Sequence, residues 1–361
     1  MALDRTPGRR VYIDWARGLA VLLMIEAHTT DAWPRAADKH SVAFAWVQIL
    51  GGFAAPLFLW LAGLAAVLSA ARLARTCTHR RAAVEAVCRR GLEIFVLAFL
   101  FRVQAFIVSP GSHPVTIFRV DILNVMGPAV VATGLVWALG TSAGVLVVCY
   151  GAAAATVALI TPIVRTARIV GVLPLWLQWY VRPAGDLTTF TIFPWTGFVF
   201  AGAACGVMLA TTEDKPAERR MQIVFATVGL VLVALGAYTS TLPSIYRQSS
   251  FWTSSPTWFA IRVGILMIGL AALHAMAEMA AHWNLSCRSL ARFGQNSLFV
   301  YWIHVELVYG YASWLWRGRL PLWSTLVATA AFSMLMYRAV LVVENWRKRS
   351  GARSAPQAAT A

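Results

Sequence analysis

The stretch Tyr12-Ile-Asp14-Trp-Ala-Arg17-Gly-Leu-Ala-Val-Leu-Leu-Met-Ile-Glu26-Ala-His28-Thr29 is apolar enough to cross a membrane, yet it carries Asp14, Arg17, Glu26 and His28. Ionisable groups in a spanning helix are expensive to desolvate, so each is a functional candidate by default. Arg17 and His28 are eleven residues apart. That separation is within about 20° of a whole number of helical turns and rises about 16 Å. One helix face therefore presents Arg17 toward one membrane surface and His28 toward the other.

The rest of the chain agrees with a membrane reading. Of 361 residues, 59% are hydrophobic and 13% charged, against about a quarter charged in soluble domains. Apolar runs predict ten spans: 11–31, 44–71, 91–109, 120–139, 143–161, 191–210, 221–238, 257–281, 296–313 and 321–343. The expected fold class is all-α, a polytopic transmembrane helix bundle. Residues 1–10 form an N-terminal segment, 11–343 the membrane domain, and 344–361 a tail whose end, Ser350–Ala361, reads as disordered. Region 162–190 is apolar but broken, and its paired tryptophans suggest an interfacial or re-entrant piece. The first span ends in His28-Thr-Thr-Asp31 without a small-residue cleavage site, which argues against a signal peptide.

The net charge of +16 lies in short loops, which fits a topology signal better than a nucleic-acid surface. With an even number of spans, one side carries 19 basic residues and the other 9. Both termini are therefore expected in the cytoplasm, with the spans in the inner (cytoplasmic) membrane. The cysteines Cys77, Cys88, Cys149, Cys205 and Cys287 show neither CxxC spacing nor paired histidines, so no metal site or disulfide framework is expected.

Four clusters could carry chemistry. Asp14 and Arg17 (i, i+3) could pair at the cytoplasmic interface, and Asp31, one turn past His28, could orient its imidazole. The blander readings are an interfacial ion pair and an interfacial histidine. Second, Pro56-Leu-Phe-Leu-Trp-Leu-Ala-Gly63 permits close helix approach. It is followed by Thr78-His-Arg-Arg81 and Arg89-Arg90-Gly-Leu-Glu93. Arg89 and Arg90 suit phosphate groups, although most arginines there serve topology. Third, Asp121 and Asn124 share a face near the outer surface and could hold sugar hydroxyls or orient a base; an N-cap is the alternative for Asp121. Fourth, Ser297, Tyr301 and His304 form a polar stripe on span nine, either a hydrated tunnel or helix–helix hydrogen bonding.

Taken in order, these fragments resemble the transmembrane acyltransferases of the heparan-α-glucosaminide N-acetyltransferase-like family. The resemblance runs from Ile13-Asp-Trp-Ala-Arg-Gly-Leu-Ala through Asp121-Ile-Leu-Asn-Val-Met-Gly127. It continues in Phe193-Pro-Trp195-Thr-Gly-Phe198 and ends in Phe293-Gly-Gln-Asn-Ser-Leu-Phe-Val-Tyr-Trp-Ile-His304. The related acyltransferase-three family also has an Arg and a His eleven residues apart in its first helix. The resemblance implies acyl transfer, chiefly of acetyl, from cytoplasmic acyl-CoA to a hydroxyl or amine of a carbohydrate at the opposite face.

It makes His28 the catalytic histidine, acting as general base or acyl acceptor, with Asp31 or Asp121 expected to orient it. It places the CoA near Arg17, Arg89 and Arg90, and the acceptor near Asp14, Asn124, Trp195, Ser297, Tyr301 and His304. The lysosomal branch departs from this pattern, with an Asn in the position of His28 and its catalytic His about a dozen residues later. His40 stands close to that place, so it is the second candidate. Acetyl-CoA is expected as co-substrate, with no permanently bound cofactor. The bilayer is expected as surroundings, with a second copy of the chain left open as a partner. A transporter or flippase of a lipid-linked or small polar substrate is the alternative from another class, and a non-catalytic scaffold a third.

Overall fold

The computed structural model describes residues 10–76, 80–108, 113–285 and 287–354. Arg5, Arg9, Cys77, Thr78, His79 and the tail beyond Ser354 lie outside the described residues. Within them the chain is helical throughout and forms no strand, only two isolated bridges. In order the helices are α1 (Val11–Ala32), α2 (Val42–Gly51), α3 (Ala54–Thr76), α4 (Arg80–Val108), α5 (Ile122–Leu139) and α6 (Ala143–Thr166). They continue with α7 (Leu175–Val181), α8 (Ile192–Ala210), α9 (Lys215–Ser240), α10 (Pro256–His282), α11 (Arg288–Gln295), α12 (Ser297–Tyr309) and α13 (Leu322–Ser354). Helix satisfies every backbone polar group within its own segment, which lipid demands. Starts are set by side-chain caps: Ser41 accepts from the Phe44 N–H, Ser142 from Val145 and Asp214 from Ala217.

Among the described residues, eight segments are long and apolar enough to cross a membrane, so the chain is a polytopic all-α membrane protein. The expected second span is one such segment, Val42–Thr76, interrupted between α2 and α3 at Gly52-Phe53. Two of the ten expected spans fall outside the eight. Helix α1 has 22 residues, length enough at about 1.5 Å per residue, but it carries Asp14, Arg17, Glu26 and Asp31. Helix α12 has 13 residues, about 20 Å, where a bilayer core needs about 30 Å. The expected span 296–313 is cut short because the chain turns at Gly310, where the Ser313 hydroxyl donates to the Val308 and Gly310 carbonyls. Region 162–190 contains the last residues of α6, then α7 and short 3-10 turns. Helix α13 runs through Ser354, so the tail is helical that far.

The chain divides into two compact units, Met1–Ala54 with Asn284–Ala361, and Ala55–Trp283. In the first, α1 packs on α2, α11, α12 and α13. The approach of α1 to α11 requires glycine on both: a Cβ on Gly18 would lie 2.0 Å from the Leu290 carbonyl oxygen, and one on Gly294 would lie 2.1 Å from that of Asp14. Beyond α1 the loop is zipped to the segment before α13 by Arg35 N–H to Leu320 O (2.9 Å) and Leu320 N–H to Trp33 O (3.0 Å). The Asp38 carboxylate completes this join by accepting the Leu322 N–H at the start of α13 (2.8 Å). Thr29 and Thr329 join α1 and α13 through their hydroxyls (2.7 Å).

In the second unit the pairs α4–α5, α6–α8 and α9–α10 pack along their lengths, with α5 also on α8. Helices α3 and α8 touch backbone to backbone at Gly63 and Gly202, the small-residue packing that membrane helices favour where apolar burial supplies no drive. Inside these helices the Thr133 and Thr161 hydroxyls return to carbonyls one turn back.

Candidate functional site

In the first unit α1 and α12 bring two histidines together. His28 Nδ1 is 2.8 Å from His304 Nε2, and the rings stack with centroids 5.0 Å apart. His304 is fully buried, while His28 is half-buried. The other nitrogen of His304, Nδ1, is 2.8 Å from the Val300 carbonyl oxygen. A carbonyl can only accept, so His304 Nδ1 carries a proton and donates it. In neutral His304 the Nε2 is then bare and accepts from His28 Nδ1–H. Neutral His28, protonated at Nδ1, therefore has a bare Nε2. One backbone carbonyl dictates the tautomers of both rings and leaves a basic lone pair at the end of the chain of bonds.

The surroundings of this pair differ from the expected ones. Asp31, expected to orient His28, accepts a hydrogen bond from Tyr309 Oη (2.8 Å). The Lys39 ammonium donates to the backbone carbonyl of the same residue (2.6 Å). Tyr309 meets the His28 ring edge-on at 5.6 Å. Asp31 thus fixes a wall of the site, and His304 takes the orienting place. Tyr301 is buried and meets His304 edge-on at 6.1 Å, while Ser297 is half-buried in the first turn of α12. His40 ends an exposed 3-10 turn, Ala36–His40, and among the described residues no hydrogen bond holds its ring. Near the start of α1, Arg17 faces Asp14 at 3.8 Å, their side chains 34% and 10% exposed.

Five expected residues belong to the second unit. The Asp121 carboxylate, expected to orient the base, is taken by Arg102, and both side chains are nearly buried. An arginine alone in an apolar run needs an acid, so Arg102 is itself the sequence signal for this pair. Asn124 is buried; its Oδ1 accepts the Asp121 N–H (3.0 Å) and its Nδ2 donates to Tyr180 Oη (3.4 Å). Burial pushes the Tyr180 phenol above its ordinary pKa, the Asn124 contact opposing this. Trp195 lies in an aromatic cluster, edge-on to Phe190 (4.8 Å) and Trp258 (5.8 Å). Arg89 and Arg90 stand on the exposed surface of α4 and pair with Glu93 of the same helix (3.9 and 3.0 Å).

A family model described as heparan-alpha-glucosaminide N-acetyltransferase, catalytic, matches residues 9–246, about two thirds of the chain. The matched segment contains His28, His40, Arg102 and Asp121, and ends before α12 and His304. A search of curated proteins gives no match.

Proposed function

The chain belongs to the heparan-alpha-glucosaminide N-acetyltransferase catalytic family, and from that premise we propose that it moves an acetyl group from acetyl-CoA to a carbohydrate hydroxyl or amine across the membrane. The observation that carries this reading is the bond from His28 to His304, because it leaves His28 Nε2 unprotonated within a membrane protein of an acetyltransferase family. His28 is the general base. Its Nε2 takes the proton of the acceptor hydroxyl or amine as the acceptor oxygen or nitrogen attacks the thioester carbonyl. The tetrahedral intermediate collapses as the carbon–sulfur bond breaks, and the departing thiolate receives the proton from His28. While His28 is an imidazolium, its Nδ1–H bond to His304 becomes charge-assisted and stabilises that state.

Arg17 is the donor-side anchor, about 16 Å along the helix axis from His28. The acceptor approaches from the side of Asp31 and Tyr309, expected to be periplasmic. Purified protein given acetyl-CoA with a labelled acetyl group and a panel of amino sugars and glycans tests the reading. Label is expected in an acceptor with the wild type and not with His28→Ala. Transfer that survives loss of both His28 and His40 overturns the mechanism.

A further inference from the structure

The second unit contains a cavity of about 450 Å³ where the ends of α3, α5, α6 and α8 meet the start of α4. It is remote in sequence from the paired histidines, and no role described above uses it. Arg75, in the last turn of α3, and Arg80, which opens α4, both line it. Backbone carbonyls hold each guanidinium in place. Arg75 donates to Ala210 O at the end of α8, and Arg80 donates to Trp137 O near the end of α5 while lying over the Trp137 ring (5.6 Å). Neither contact neutralises the charge, and no aspartate or glutamate is among the lining residues.

The rest of the wall is partly polar and partly alanine, glycine, leucine and valine. Ser142 caps α6, a 24-residue helix whose positive end adjoins the cavity. Thr141 adds a hydroxyl, while the Thr211 hydroxyl donates to the Met208 carbonyl oxygen of its own helix (2.7 Å). Trp137, 8% exposed, contributes the aromatic ring over which Arg80 lies. Leu146 and Val207, both buried, close the apolar side. Two guanidiniums held by backbone carbonyls, a helix N-terminus and no acid among the described lining residues make a site that suits a compact anion carrying several oxygens.

We infer that this cavity binds the phosphate groups of an amphiphilic or nucleotide ligand. These helix ends are the ones that the charge asymmetry assigns to the cytoplasm. Two sources of such phosphate reach that surface, the phosphates of acyl-CoA and the headgroup of an anionic phospholipid. Assignment to acyl-CoA rests on the proposed acetyl transfer; the phosphate site itself does not.

The test uses the full-length protein purified in detergent. Adenosine 3′,5′-bisphosphate and coenzyme A are titrated by calorimetry, and phosphatidylglycerol against phosphatidylcholine is compared by native mass spectrometry. The wild type is expected to bind at least one phosphate probe. The double change Arg75→Gln and Arg80→Gln is expected to weaken it about tenfold or more. Thr211→Glu, which adds an acid to the wall and leaves both arginines, is expected to weaken it similarly. Arg75→Lys with Arg80→Lys should recover most of the loss.

A loss confined to the nucleotide probes identifies the donor as the occupant, and one confined to phosphatidylglycerol identifies a lipid. Wild type that binds neither class, or affinities equal in wild type, the Gln variant and Thr211→Glu, overturns the proposal. The two readings separate cleanly. Bisphosphate binding that depends on Arg75 and Arg80 without any acetyl transfer keeps the cavity and removes the proposed reaction. Acetyl transfer with every probe bound equally by the variants does the reverse.

Discussion

His28 and His304, 276 residues apart in sequence, share a hydrogen bond of 2.8 Å between Nδ1 of one and Nε2 of the other. Because Val300 O claims the proton on His304 Nδ1, direction passes outward along the pair and ends on a bare His28 Nε2. On the proposed reading, His304 rather than Asp31 positions His28 as the base.

Removing the base should cost most. His28→Ala is expected to lower kcat by about 10²- to 10⁴-fold, the usual contribution of a positioned general base, with the fold retained. His40→Ala is expected to leave kcat within about twofold, since solvent-exposed groups with no fixed geometry contribute little. Steady-state rates with acetyl-CoA compare the two. Equal losses from both substitutions would argue against the assignment to His28.

His304 is a positioning residue and should show a different signature. His304→Ala leaves His28 free to protonate at either nitrogen and is expected to lower kcat by about tenfold to a hundredfold with KM little changed. His304→Gln supplies an acceptor for His28 Nδ1–H through its amide oxygen and should recover part of that loss. Ring nitrogen-15 shifts of His28 provide the structural readout. The wild type should carry its proton on Nδ1, and the alanine variant should show a mixture.

The Arg102–Asp121 pair is nearly buried, so losing one member strands a charge. Arg102→Leu or Asp121→Asn alone is expected to destabilise the protein by about 3–5 kcal/mol, measured as thermal unfolding in detergent. Changing both together should recover a large part of the loss. Additive losses would mean that the two residues act independently.

Helix α11 sits on α1 through Gly18 and Gly294, where a Cβ would strike backbone carbonyl oxygens. Gly294→Ala is expected to push the helices apart and to cost about 1–3 kcal/mol. Activity should fall with stability, because α11 leads directly into the helix that carries His304. A variant as stable and active as the wild type would show that α1 and α11 are not in backbone contact.

Arg89 and Arg90 are exposed and satisfied by Glu93 on their own helix. Replacing both with Gln is expected to change stability by less than about 0.5 kcal/mol and to leave the KM for acetyl-CoA within about twofold. A tenfold rise in that KM would restore them as donor ligands.

Much of the architecture was legible from residues alone. Apolar runs in lipid must become helix, since no other open structure satisfies the backbone there, so the all-α membrane fold follows from composition and spacing. Arg17 and His28 could be placed on one face of α1 because both lie in the same helix, where geometry is a function of residue number. Span counting was weakest where that periodicity stops: a glycine and a serine turn end α12 early, and neither makes the run less apolar.

What lay between helices was not legible. Asp31 stood one turn from His28 and was the natural local choice to orient it, yet its carboxylate turned to Tyr309. The place beside His28 went to His304, brought there by the packing of α12 on α1. Asp121 likewise found Arg102 rather than a histidine. Local spacing determined that these ionisable groups lie within or beside the membrane and that each needs a partner to be tolerated. Which partner each received was decided by helix packing, because a bond of 2.8 Å depends on how two helices meet and not on the distance between their residues along the chain.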